Sequence, residues 1–356
     1  MQTKKIVLAM SGGTDSSAAA ILLQEQGYEV YGLFIIFYDI QWAPGHVVQQ
    51  QEVSCNNVKK LCDMLHIPCY IYNASQEFYT TVISYFVVEY LEGRTPFPCA
   101  KCNPLLKWKI LYDYAVQLNC NYIATGHYVN IELHNEIYYI TQGIDSDKDQ
   151  SFFLWGLTQD ILQKAVFPLG GYTKQQVREY ARSKGFVDVA TRKDSLGVCF
   201  LGNTNYRSFV TRELAKRSVR VEAGKFVDEH GNYISNNKGY VWYTVGQRKQ
   251  LGLNINTRMF VKSIDAKNNT VTVSPYSSLF RSQFVIHSFY FHTLQDMQGE
   301  LVVKVRYRNQ SNICTLQYNS TESITVILQK PLEAIAPGQT AVFYKNNRVV
   351  GGGFID

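Results

Sequence analysis

The fold is decided by the stretch Ile6-Val7-Leu8-Ala9-Met10, which is followed directly by Ser11-Gly12-Gly13-Thr14-Asp15-Ser16-Ser17. The five apolar residues predict a buried parallel strand, and Asp15 to Gln26 predicts a helix with an apolar stripe. Because the residues between them are small, backbone N–H groups and the positive end of the helix can face an anion. The stretch therefore predicts a phosphate-binding turn; an ordinary Gly-rich turn is the alternative.

The type of phosphate loop follows from what this turn lacks. The P-loop of kinases and GTPases carries a lysine after its second glycine, and this loop has none. Without that lysine the loop suits a pyrophosphate leaving group better than a transferred γ-phosphoryl group. Ser-Gly-Gly-x-Asp-Ser-Ser resembles the pyrophosphatase-type loop of enzymes that split ATP into AMP and pyrophosphate while adenylating a carbonyl oxygen. We therefore expect adenylation chemistry.

Length and composition indicate a sizeable enzyme. The chain has 356 residues, which predicts two or three domains, and its 46% hydrophobic content can fill their cores. No apolar run is long enough to span a bilayer, and the apolar stretch at Ile6 is too short for a signal-peptide core. The eight cysteines lack the dense spacing of a secreted disulfide scaffold. We expect mostly reduced thiols, a cytoplasmic location and no membrane partner.

The net charge of +6 is unevenly distributed. Residues 1–202 hold 16 Lys and Arg against 19 Asp and Glu, a balance of −3. Residues 203–252 hold 9 against 4, or +5, and residues 253–356 hold 10 against 6, or +4. This split predicts a catalytic half followed by a portion that contacts a polyanion, with RNA as the candidate. A solvated basic face without a partner is the open alternative.

The first half of the chain alternates apolar runs with helical patterns. The expected strands are Val30–Phe37, Cys69–Tyr72 and Tyr122–Thr125, and the expected helices are Val47–Leu65, Glu77–Leu91 and Leu105–Leu118. Such alternation predicts an α/β fold with a doubly wound parallel sheet that binds ligands beyond the carboxyl ends of its strands. Ser11–Ser17 and Gly126-His127 both follow strand ends, which would place them in one crevice.

The pattern changes after about Leu201. A basic helix-like stretch, Tyr206–Val219, is followed by frequent Gly, Asn and Asp turns and then by short β-rich runs, which predict a small antiparallel barrel or sandwich. The runs are Phe260–Ile264, Thr270–Val273, Phe284–Phe291, Leu301–Tyr307, Cys314–Tyr318, Ser323–Leu328 and Ala341–Tyr344. We predict an ATP-binding domain over residues 1–202, a central basic domain over 203–256 and a C-terminal β-barrel that contacts RNA over 257–356.

Three cysteines lie in segments suited to chemistry. Cys99 and Cys102 form a Cys-x-x-Cys motif after a segment with two prolines, and Cys199 is framed by Gly197 and Gly202. Prolines and glycines predict mobile loops in which a reactive thiol is accessible. A lone Cys-x-x-Cys is also consistent with half a zinc site, a redox pair or coincidence. No second such motif completes a zinc set, so we expect no metal ligands there, and we interpret the other five cysteines as buried and inert.

Together these motifs give the chain a specific resemblance. It resembles the tRNA-specific 2-thiouridylases, which replace oxygen with sulfur at C2 of the wobble uridine, position 34 of tRNA. The resemblance runs over nearly the whole chain, in the order Ser11–Ser17, Thr95–Asn103, Ala124–Tyr128, Gly143–Leu154, Asp194–Gly202, Tyr243–Lys249, Val305–Arg308, Pro337–Tyr344 and Gly351–Gly353.

The resemblance implies a role for particular residues and an adenine-nucleotide hydrolase-like sheet. Ala9 through Ser16 would bind ATP, with Mg²⁺, together with Ile35 and Gly126. Cys199 would carry the incoming sulfur as a persulfide, and Cys102 would be the partner nucleophile. The residues expected to approach the target base are Phe97, Pro98 and Cys99. Those expected to contact tRNA are His127, Lys148, Asp149, Gln150, Arg306, Tyr307 and Gln339; without the resemblance, Lys148–Gln150 would be interpreted as a solvated turn.

The chemistry gives a reason for each role. The C2 oxygen of uracil is a poor leaving group, and adenylation allows it to depart as AMP when sulfur attacks. Cys102 attacking the Cys199 persulfide would release sulfide beside the activated base and leave a Cys102–Cys199 disulfide. That bond needs Cα atoms roughly 4.4–6.8 Å apart. A persulfide donor, either a cysteine desulfurase or a sulfur-relay protein, would reload the site.

Two positions depart from the family pattern. Thr14 replaces a common valine and is also β-branched, so we expect little change. Cys99 stands where many relatives carry an aspartate, and a neutral thiol supplies neither its charge nor its basicity. Lys101 is a candidate substitute, because a nearby ammonium lowers a thiol pKa. The change also creates a Cys99/Cys102/Cys199 trio that could ligate three irons of a [4Fe–4S] cluster, the minority reading of the mechanism.

Two other function classes remain to be weighed. A nitrogen-transferring ATP-adenylating ligase would leave Cys102 and Cys199 without a purpose, and the chain shows no glutaminase-like half. A non-catalytic RNA-binding module with a degenerate loop is disfavoured, since the loop and both thiols are intact. An ATP-dependent tRNA sulfurtransferase is the leading prediction.

Overall fold

The computed structural model describes residues 4–186, 197–202, 204–254, 257–308 and 311–356. The chain divides into two compact units. The first comprises Met1–Val82, Cys99–Thr204 and Asn346–Val349, and the second comprises Ile83–Pro98, Asn205–Lys345 and Val350–Asp356. Of the Asp194–Gly202 match, Asp194, Ser195 and Leu196 lie outside the described residues.

The first unit is built on a parallel sheet. The strands of the parallel sheet are β1 (Lys4–Ala9), β2 (Tyr28–Ile36), β3 (Cys69–Asn73), β4 (Tyr122–Ala124) and β7 (Ala165–Val166). Outside it, β5 (Val129–His134) and β6 (Ile137–Gln142) form an antiparallel hairpin. The sheet has the order β3-β2-β1-β4-β7, with every pairing parallel. Ile6, Val7 and Leu8 are 0% exposed, as expected for a central strand covered on both faces. The predicted α/β architecture is confirmed.

Helices follow most strands of this sheet. They are α1 (Thr14–Glu25), α2 (Gly45–Leu65), α3 (Ser75–Phe78), α4 (Ser84–Leu91, in the second unit), α5 (Cys99–Cys102), α6 (Trp108–Gln117), α7 (Gln159–Leu162) and α8 (Lys174–Ser183). Helices α1, α2 and α6 pack on the sheet. None of the helices in the described ranges combines the length and apolarity that a membrane crossing requires.

Two predicted helices are interrupted by π-helical turns. Glu77–Leu91 was expected to be continuous, but a π turn occupies Tyr79–Ile83, where four β-branched residues follow one another and lower helix propensity. The predicted Leu105–Leu118 helix is preceded by a π turn over Asn103–Lys107, which contains Pro104. Proline cannot donate to the regular ladder, so the turn rearranges around it.

Besides α4, the second unit contains helix α9 (Tyr206–Lys216) and a four-stranded sheet. Its strands are β8 (Gly224–Val227), β9 (Tyr233–Asn237), β10 (Phe260–Asp265) and β11 (Thr270–Ser274), in the order β10-β11-β8-β9. Phe226, Val261 and Val271 are 0% exposed in the core of this sheet. Because β10 and β11 belong to it, the chain from 257 to 274 folds with the central segment, across the boundary expected at residue 256.

The C-terminal segment forms a closed antiparallel barrel. Its strands are β12 (Phe280–Phe291), β13 (Leu301–Lys304), β14 (Asn312–Tyr318), β15 (Ser323–Glu333), β16 (Thr340–Lys345) and β17 (Arg348–Ile355). They follow the order β12-β15-β14-β13-β16-β17, and β12 pairs with β17 to close the barrel. A Cβ at Gly351 would lie 2.4 Å from the Tyr290 carbonyl oxygen, so a glycine is required where β17 meets β12.

Candidate active site

The loop between β1 and α1 folds back on itself through its own serines. Ser16 Oγ accepts a hydrogen bond from the Ser11 N–H at 3.1 Å and also lies 3.3 Å from Ser11 Oγ. Gly12 has φ +74°, and a Cβ there would lie 2.6 Å from the Ser54 carbonyl oxygen of α2, so glycine is required. Gly13, which has no side chain, occupies the N-cap of the 12-residue helix α1. The helix N-terminus therefore opens onto the loop, as anion binding requires.

Asp15 is held in place by two partners from elsewhere in the first unit. Lys174 Nζ donates to both carboxylate oxygens, at 2.7 and 2.8 Å, and the Tyr128 hydroxyl donates to Oδ1 at 2.6 Å. The Lys174 side chain is 9% exposed and that of Asp15 is 34% exposed, so the ammonium end of this ion pair is shielded from water. A capping box at Thr173 starts α8 and fixes the backbone from which Lys174 projects. The loop carboxylate is thus compensated and oriented.

The Gly126 segment packs directly against this loop. It follows β4, which pairs with β1. A Cβ at Gly126 would lie 3.0 Å from both the Asp15 carbonyl carbon and the Ser16 nitrogen, so the two segments touch along their backbones. Ile35 lies near the end of β2 on the other side of β1 and is 8% exposed. Ser11–Ser17 and the segment that begins at Gly126 are therefore in contact, as expected from their positions after adjacent strands.

His127 is neutral at physiological pH. Its Nδ1 lies 2.6 Å from Thr125 Oγ1, and its ring stacks on Trp108 with a centroid distance of 6.3 Å. Burial, together with the nearby Lys107 ammonium, lowers the pKa of His127 to about 3. It can therefore act as a hydrogen-bonding or stacking group, but it carries no charge for an RNA phosphate.

The three cysteines singled out by the sequence come together around Tyr38. Cys99 and Cys102 begin and end α5, one turn of helix, and Cys199 is exposed. Burial raises the pKa of Tyr38, and so do its hydrogen bond to Cys199 and the nearby Cys102 and Cys99 thiols. Gln51 fixes the Tyr38 backbone by accepting from its N–H at 2.9 Å and donating to its carbonyl oxygen at 2.9 Å. Two sequence segments 97 positions apart thus meet in one thiol cluster.

Within this cluster, Cys99 and Cys102 are held as thiols. Burial raises the pKa of each to about 12, the neighbouring Cys199 adds to the rise, and the Lys107 ammonium opposes it. Both groups are therefore protonated at neutral pH. The sequence suggested Lys101 as the ammonium that lowers the thiol pKa values. In the structure, Lys107 has this effect.

One expectation about the thiols is corrected. The prolines before Cys99 predicted a mobile loop with an accessible thiol, but Cys99 and Cys102 lie in a helical turn and are half-buried. The segment before them, residues 93–98, is irregular as expected. All eight cysteines are free, so the Cys102–Cys199 disulfide is not formed in this structure. Cys199 itself is exposed as predicted, and its neighbour Phe200 is buried against Phe78.

The trio does not form a metal-ligand set. Within the described ranges, no group of three or more His, Cys, Asp and Glu side chains is arranged to hold a metal ion. Cys99, Cys102 and Cys199 are neighbours around Tyr38, but they are not part of such a group.

The expected tRNA contacts of the first unit differ in exposure. Asp149 is 6% exposed, and its carboxylate accepts from the N–H groups of Gly143 and Ser151, from Ser151 Oγ and from Gln142 Nε2. It therefore organises the turn from within. Gln150 is tied to Tyr128 through both its side chain and its N–H. Lys148 is half-buried, so the segment is more ordered than a solvated turn.

In the second unit, Gln339 holds the segment that carries Phe97 and Pro98. Its Nε2 donates to the carbonyl oxygens of Thr95 at 3.0 Å and Pro96 at 3.2 Å. The Thr95 N–H donates to the Pro337 carbonyl oxygen at 2.7 Å. Arg306 donates through Nη2 to the Ala334 carbonyl oxygen, and Tyr307 follows it at the end of β13. Gln339 thus holds the backbone directly before Phe97 and Pro98.

One pair of the remaining cysteines is not isolated. Cys62 donates a hydrogen bond to Cys69, which raises the pKa of Cys62 and lowers that of Cys69 to about 7. Cys62 Sγ also lies 3.6 Å from Met10 Sδ in the core of the first unit. The sequence interpreted both as inert thiols, because their proximity depends on how α2 and β3 pack.

Sequence reasoning also missed Tyr38, Lys107 and Lys174. Lys174 had a local signal, since Thr173 and Gln176 have the spacing of a capping box and mark a helix start. Nothing in that pattern indicates Asp15 as its partner, 159 positions away. Tyr38 and Lys107 belong to apolar and helical patterns, and only the tertiary fold brings them to the thiols.

Three family models match consecutive parts of the chain. The tRNA methyl transferase HUP domain matches residues 4–203, the tRNA methyl transferase PRC-barrel domain matches residues 209–275, and the Aminomethyltransferase beta-barrel domain matches residues 281–355. The first covers the parallel sheet and all three clustered cysteines. The second covers the sheet of β8 to β11.

Curated relatives match over almost the full chain. The tRNA-specific 2-thiouridylase MnmA 2 of Phocaeicola vulgatus is 43% identical over 353 residues, covering 99% of this chain and 97% of the relative. The tRNA-specific 2-thiouridylase MnmA 1 of Bacteroides fragilis is 41% identical over 364 residues, covering 99% and 98%. Among solved structures, a 4-thiouridine synthetase–RNA complex with bound ATP matches with a TM-score of 0.36 and 15% identity, over 60% of this chain and 51% of that one. A likeness this remote does not bear on function.

Proposed function

Because the chain belongs to the family of tRNA-specific 2-thiouridylases and is a tRNA uridine sulfurtransferase, we propose that it thiolates C2 of the wobble uridine, position 34. ATP adenylates the C2 oxygen, sulfur comes from a cysteine persulfide, and AMP and pyrophosphate leave. The observation that carries this proposal is that one unit holds both an oriented pyrophosphatase-type loop and a cluster of three thiols.

The loop is suited to bind the triphosphate of ATP. Residues Ala9 to Ser16 would surround it with N–H groups and serine hydroxyls, Gly126 would approach it closely, and Ile35 would line the adenine side. Mg²⁺ would enter with the nucleotide, since phosphate oxygens supply most of its ligands. Asp15 is the loop carboxylate available to it, although Lys174 and Tyr128 now occupy its oxygens. When bound, the ion would neutralise charge on the departing pyrophosphate.

Adenylation joins the uridine C2 oxygen to the α-phosphorus of ATP and breaks the bond to pyrophosphate. Cys102 thiolate then attacks Sγ of the Cys199 persulfide, which forms the Cys102–Cys199 disulfide and releases hydrosulfide. Hydrosulfide attacks C2 and expels AMP, which takes the former C2 oxygen with it, and one proton is released. A two-electron thiol reductant returns the disulfide to two thiols. The meeting of Cys102 and Cys199 in one cluster supports this pairing.

The division between one exposed and two half-buried thiols supports the assignment of roles. Cys199 is exposed, so a donor protein can reach it, and Tyr38 is hydrogen-bonded to it as a positioning group. Cys102 is half-buried and protonated, which protects it from the donor until it is needed. Lys107 is the nearby charge that favours its thiolate. The donor itself, a cysteine desulfurase or a sulfur-relay protein, and a cytoplasmic location are parts of this proposal.

The tRNA would contact both units. His127, Lys148 and Gln150 are its candidate contacts in the first unit, while Asp149 would act by ordering the turn beside them. In the second unit, Arg306, Tyr307 and Gln339 would bind the RNA, and Phe97 and Pro98 would approach the base. Cys99 would line the target-base pocket. The positive balance of residues 203–356 supports contact with a polyanion.

Serine variants of the clustered cysteines test this function. With ATP, tRNA and a persulfide donor, Cys199→Ser should form no 2-thiouridine because no sulfur is loaded. Cys102→Ser should accumulate persulfide on Cys199 without turnover, and Cys99→Ser should retain most activity. Cys120→Ser is the control, a buried thiol outside the cluster. The measurements are 2-thiouridine and persulfide by mass spectrometry.

The iron–sulfur and nitrogen-transfer alternatives give different outcomes in the same experiment. A cluster mechanism requires all three variants to fail alike, with iron bound by the anaerobically prepared wild type and lost in Cys99→Ser. Cys99→Asp, which restores the residue common in relatives, should keep or raise activity under persulfide chemistry. An adenylating ligase that transfers nitrogen would form AMP and an aminated product with every cysteine variant.

A further inference from the structure

A basic cavity lies entirely within the second unit, outside the residues given a role in adenylation or sulfur transfer. Its volume is about 630 Å³, within the range of ligand-binding clefts. Three cationic side chains line it, those of Arg207, Lys249 and Arg306, and its lining includes no aspartate or glutamate. No carboxylate of the described chain forms an ion pair with these three groups. The cavity therefore has an uncompensated positive potential.

The cationic groups of this cavity are held to different degrees. Arg207 donates to the Trp242 carbonyl oxygen and to Gln250 Oε1, both at 2.8 Å, and Arg306 donates to the Ala334 carbonyl oxygen. These two guanidinium groups are fixed parts of the wall. Lys249 is exposed, and only its carbonyl oxygen is engaged, by Gln247 Nε2 at 3.0 Å. Its ammonium is thus available to an incoming anion.

The wall of this cavity continues into the segment that precedes the target-base residues. Thr95 and Gln339 both line the cavity, and Gln339 Nε2 donates to the Thr95 and Pro96 carbonyl oxygens. Phe97 and Pro98 follow within three residues of Thr95. A ligand bound in this cavity would therefore lie next to the base that Phe97 and Pro98 are proposed to approach.

We propose that this cavity binds the phosphodiester linkage adjacent to the target uridine in the tRNA strand, with Lys249 as its main cationic donor. The inference rests on the proposed function and adds Lys249, Arg207 and Gln250 to the RNA-binding residues. Non-bridging phosphate oxygens would accept hydrogen bonds from Lys249 and Arg306, and Arg207 would add charge without leaving the wall. Holding the neighbouring phosphate would keep the target base in place while its C2 oxygen is adenylated.

Replacing one phosphate by a neutral linkage directly tests the proposed contact between Lys249 and the phosphate beside the target uridine. Anticodon stem–loop RNAs are prepared with a single methylphosphonate on either side of the target uridine, or at a stem position as the control. Affinity is measured for full-length wild type, Lys249→Gln and Arg248→Gln. Arg248 is the exposed neighbour that does not line the cavity, so each variant removes one positive charge from the same segment. Thermal melting verifies that both variants fold.

The proposal predicts coupling between the lysine and one phosphate. Wild type and Arg248→Gln should each lose affinity about tenfold when a linkage flanking the target is neutral. Lys249→Gln should lose a similar factor with native RNA and lose little more with the neutral linkage. Equal sensitivity of all three proteins to the neutral linkage would overturn the proposal. So would a Lys249→Gln effect on the ATP KM without one on RNA, which would assign the cavity to a free nucleotide.

Failure of this inference is distinguishable from failure of the proposed function. Wild type is assayed in parallel for 2-thiouridine in full-length tRNA. If it forms 2-thiouridine while Lys249→Gln shows no coupling, the cavity assignment is wrong and the function stands. If wild type forms none although it binds RNA with the predicted coupling, the proposed chemistry is wrong and the phosphate site stands.

Discussion

The nucleotide loop and the thiol cluster lie in the same unit but are prepared for chemistry to different degrees. The loop is closed by its serines, and its carboxylate is already paired with Lys174 and Tyr128. In the cluster, burial raises the pKa of Cys99 and Cys102 to about 12, so both are thiols at neutral pH. Under the proposed function, ATP activation is preorganised, whereas sulfur transfer waits for an event that ionises Cys102.

That difference is chemically sensible for a sulfur-transfer enzyme. A preformed anion site costs little reorganisation when ATP arrives. A permanently ionised Cys102 would react with oxidants or with the donor before the uridine was activated. Keeping it protonated beside Lys107 confines its reactivity to the loaded complex.

The largest effect is expected from a substitution in the nucleotide loop that leaves the thiol cluster unchanged. Asp15→Ala should lower AMP and pyrophosphate formation at least about a thousandfold, while tRNA affinity changes little. It also removes the carboxylate that pairs with the buried Lys174 ammonium, which costs roughly 3–5 kcal/mol of unfolding free energy. Adding Lys174→Met should recover the melting temperature but not AMP formation. Recovery of AMP formation in the double variant, or equal loss of tRNA binding, would show that Asp15 is only structural.

Gly126→Ala tests whether the loop is truly preformed. A methyl group at this position would lie 3.0 Å from backbone atoms of Asp15 and Ser16, so the start of α1 must shift. Overpacking of this kind costs about 1–3 kcal/mol, and we expect the ATP KM to rise about tenfold. Gly171→Ala is the matched control, since a Cβ there meets no atom within 4 Å. An unchanged ATP KM in Gly126→Ala would mean that the loop adapts freely.

Lys107→Gln perturbs the cluster and leaves the loop intact. The thiolate fraction of Cys102 rises as pH approaches its pKa, and the Lys107 ammonium lowers that pKa. Removing the charge should raise the pKa by about one unit and displace the pH–rate profile for thiolation to higher pH, with about tenfold slower turnover near pH 8. Single-turnover thiolation from pH 7 to 10 measures this. The exposed neighbour Lys109, changed to Gln, should leave the profile unchanged, and an identical shift there would contradict the assignment.

Arg306→Ala should have the smallest effect, because Arg306 belongs to neither the nucleotide loop nor the thiol cluster. It removes one phosphate contact in the second unit, so the KM for tRNA should rise several-fold at constant ATP KM. Affinity of wild type should fall steeply with salt, and the slope of log affinity against log salt should decrease by about one in the variant. Arg281→Ala, an exposed arginine on β12, is the control. A salt-independent tRNA affinity would contradict the polyanion interpretation.

Local patterns predicted the parts of the fold that local physics controls. The apolar strand at Ile6 and the small-residue loop after it predicted β1, the turn and α1, since burial and helix-start signals are written in consecutive residues. The same patterns missed β17, because Gly351–Gly353 have no side chains to show an alternating pattern. They also missed the π turn at Tyr79–Ile83, where propensity and packing compete.

The candidate site was predictable in its members but not in its electrostatics. The resemblance supplied Cys99, Cys102 and Cys199, and the structure brings them together. The raised thiol pKa values depend on how deeply α5 is buried, and the compensation of Asp15 depends on a lysine 159 positions away. Neither the thiol pKa values nor the pairing of Asp15 is encoded in a local segment. Only the tertiary packing shows that the nucleotide loop and the thiol cluster are preorganised to different degrees.

The fate of the uridine oxygen tests the central claim most directly. The complete reaction, with ATP, tRNA and a persulfide donor, is run in ¹⁸O-enriched water, and AMP, pyrophosphate and 2-thiouridine are quantified by mass spectrometry. The account predicts one AMP per 2-thiouridine and no ¹⁸O in AMP or pyrophosphate, because the oxygen that AMP gains comes from C2 of uridine. AMP or pyrophosphate that carries ¹⁸O in proportion to the 2-thiouridine formed would mean that water cleaves the ATP, and would contradict adenylation of the base.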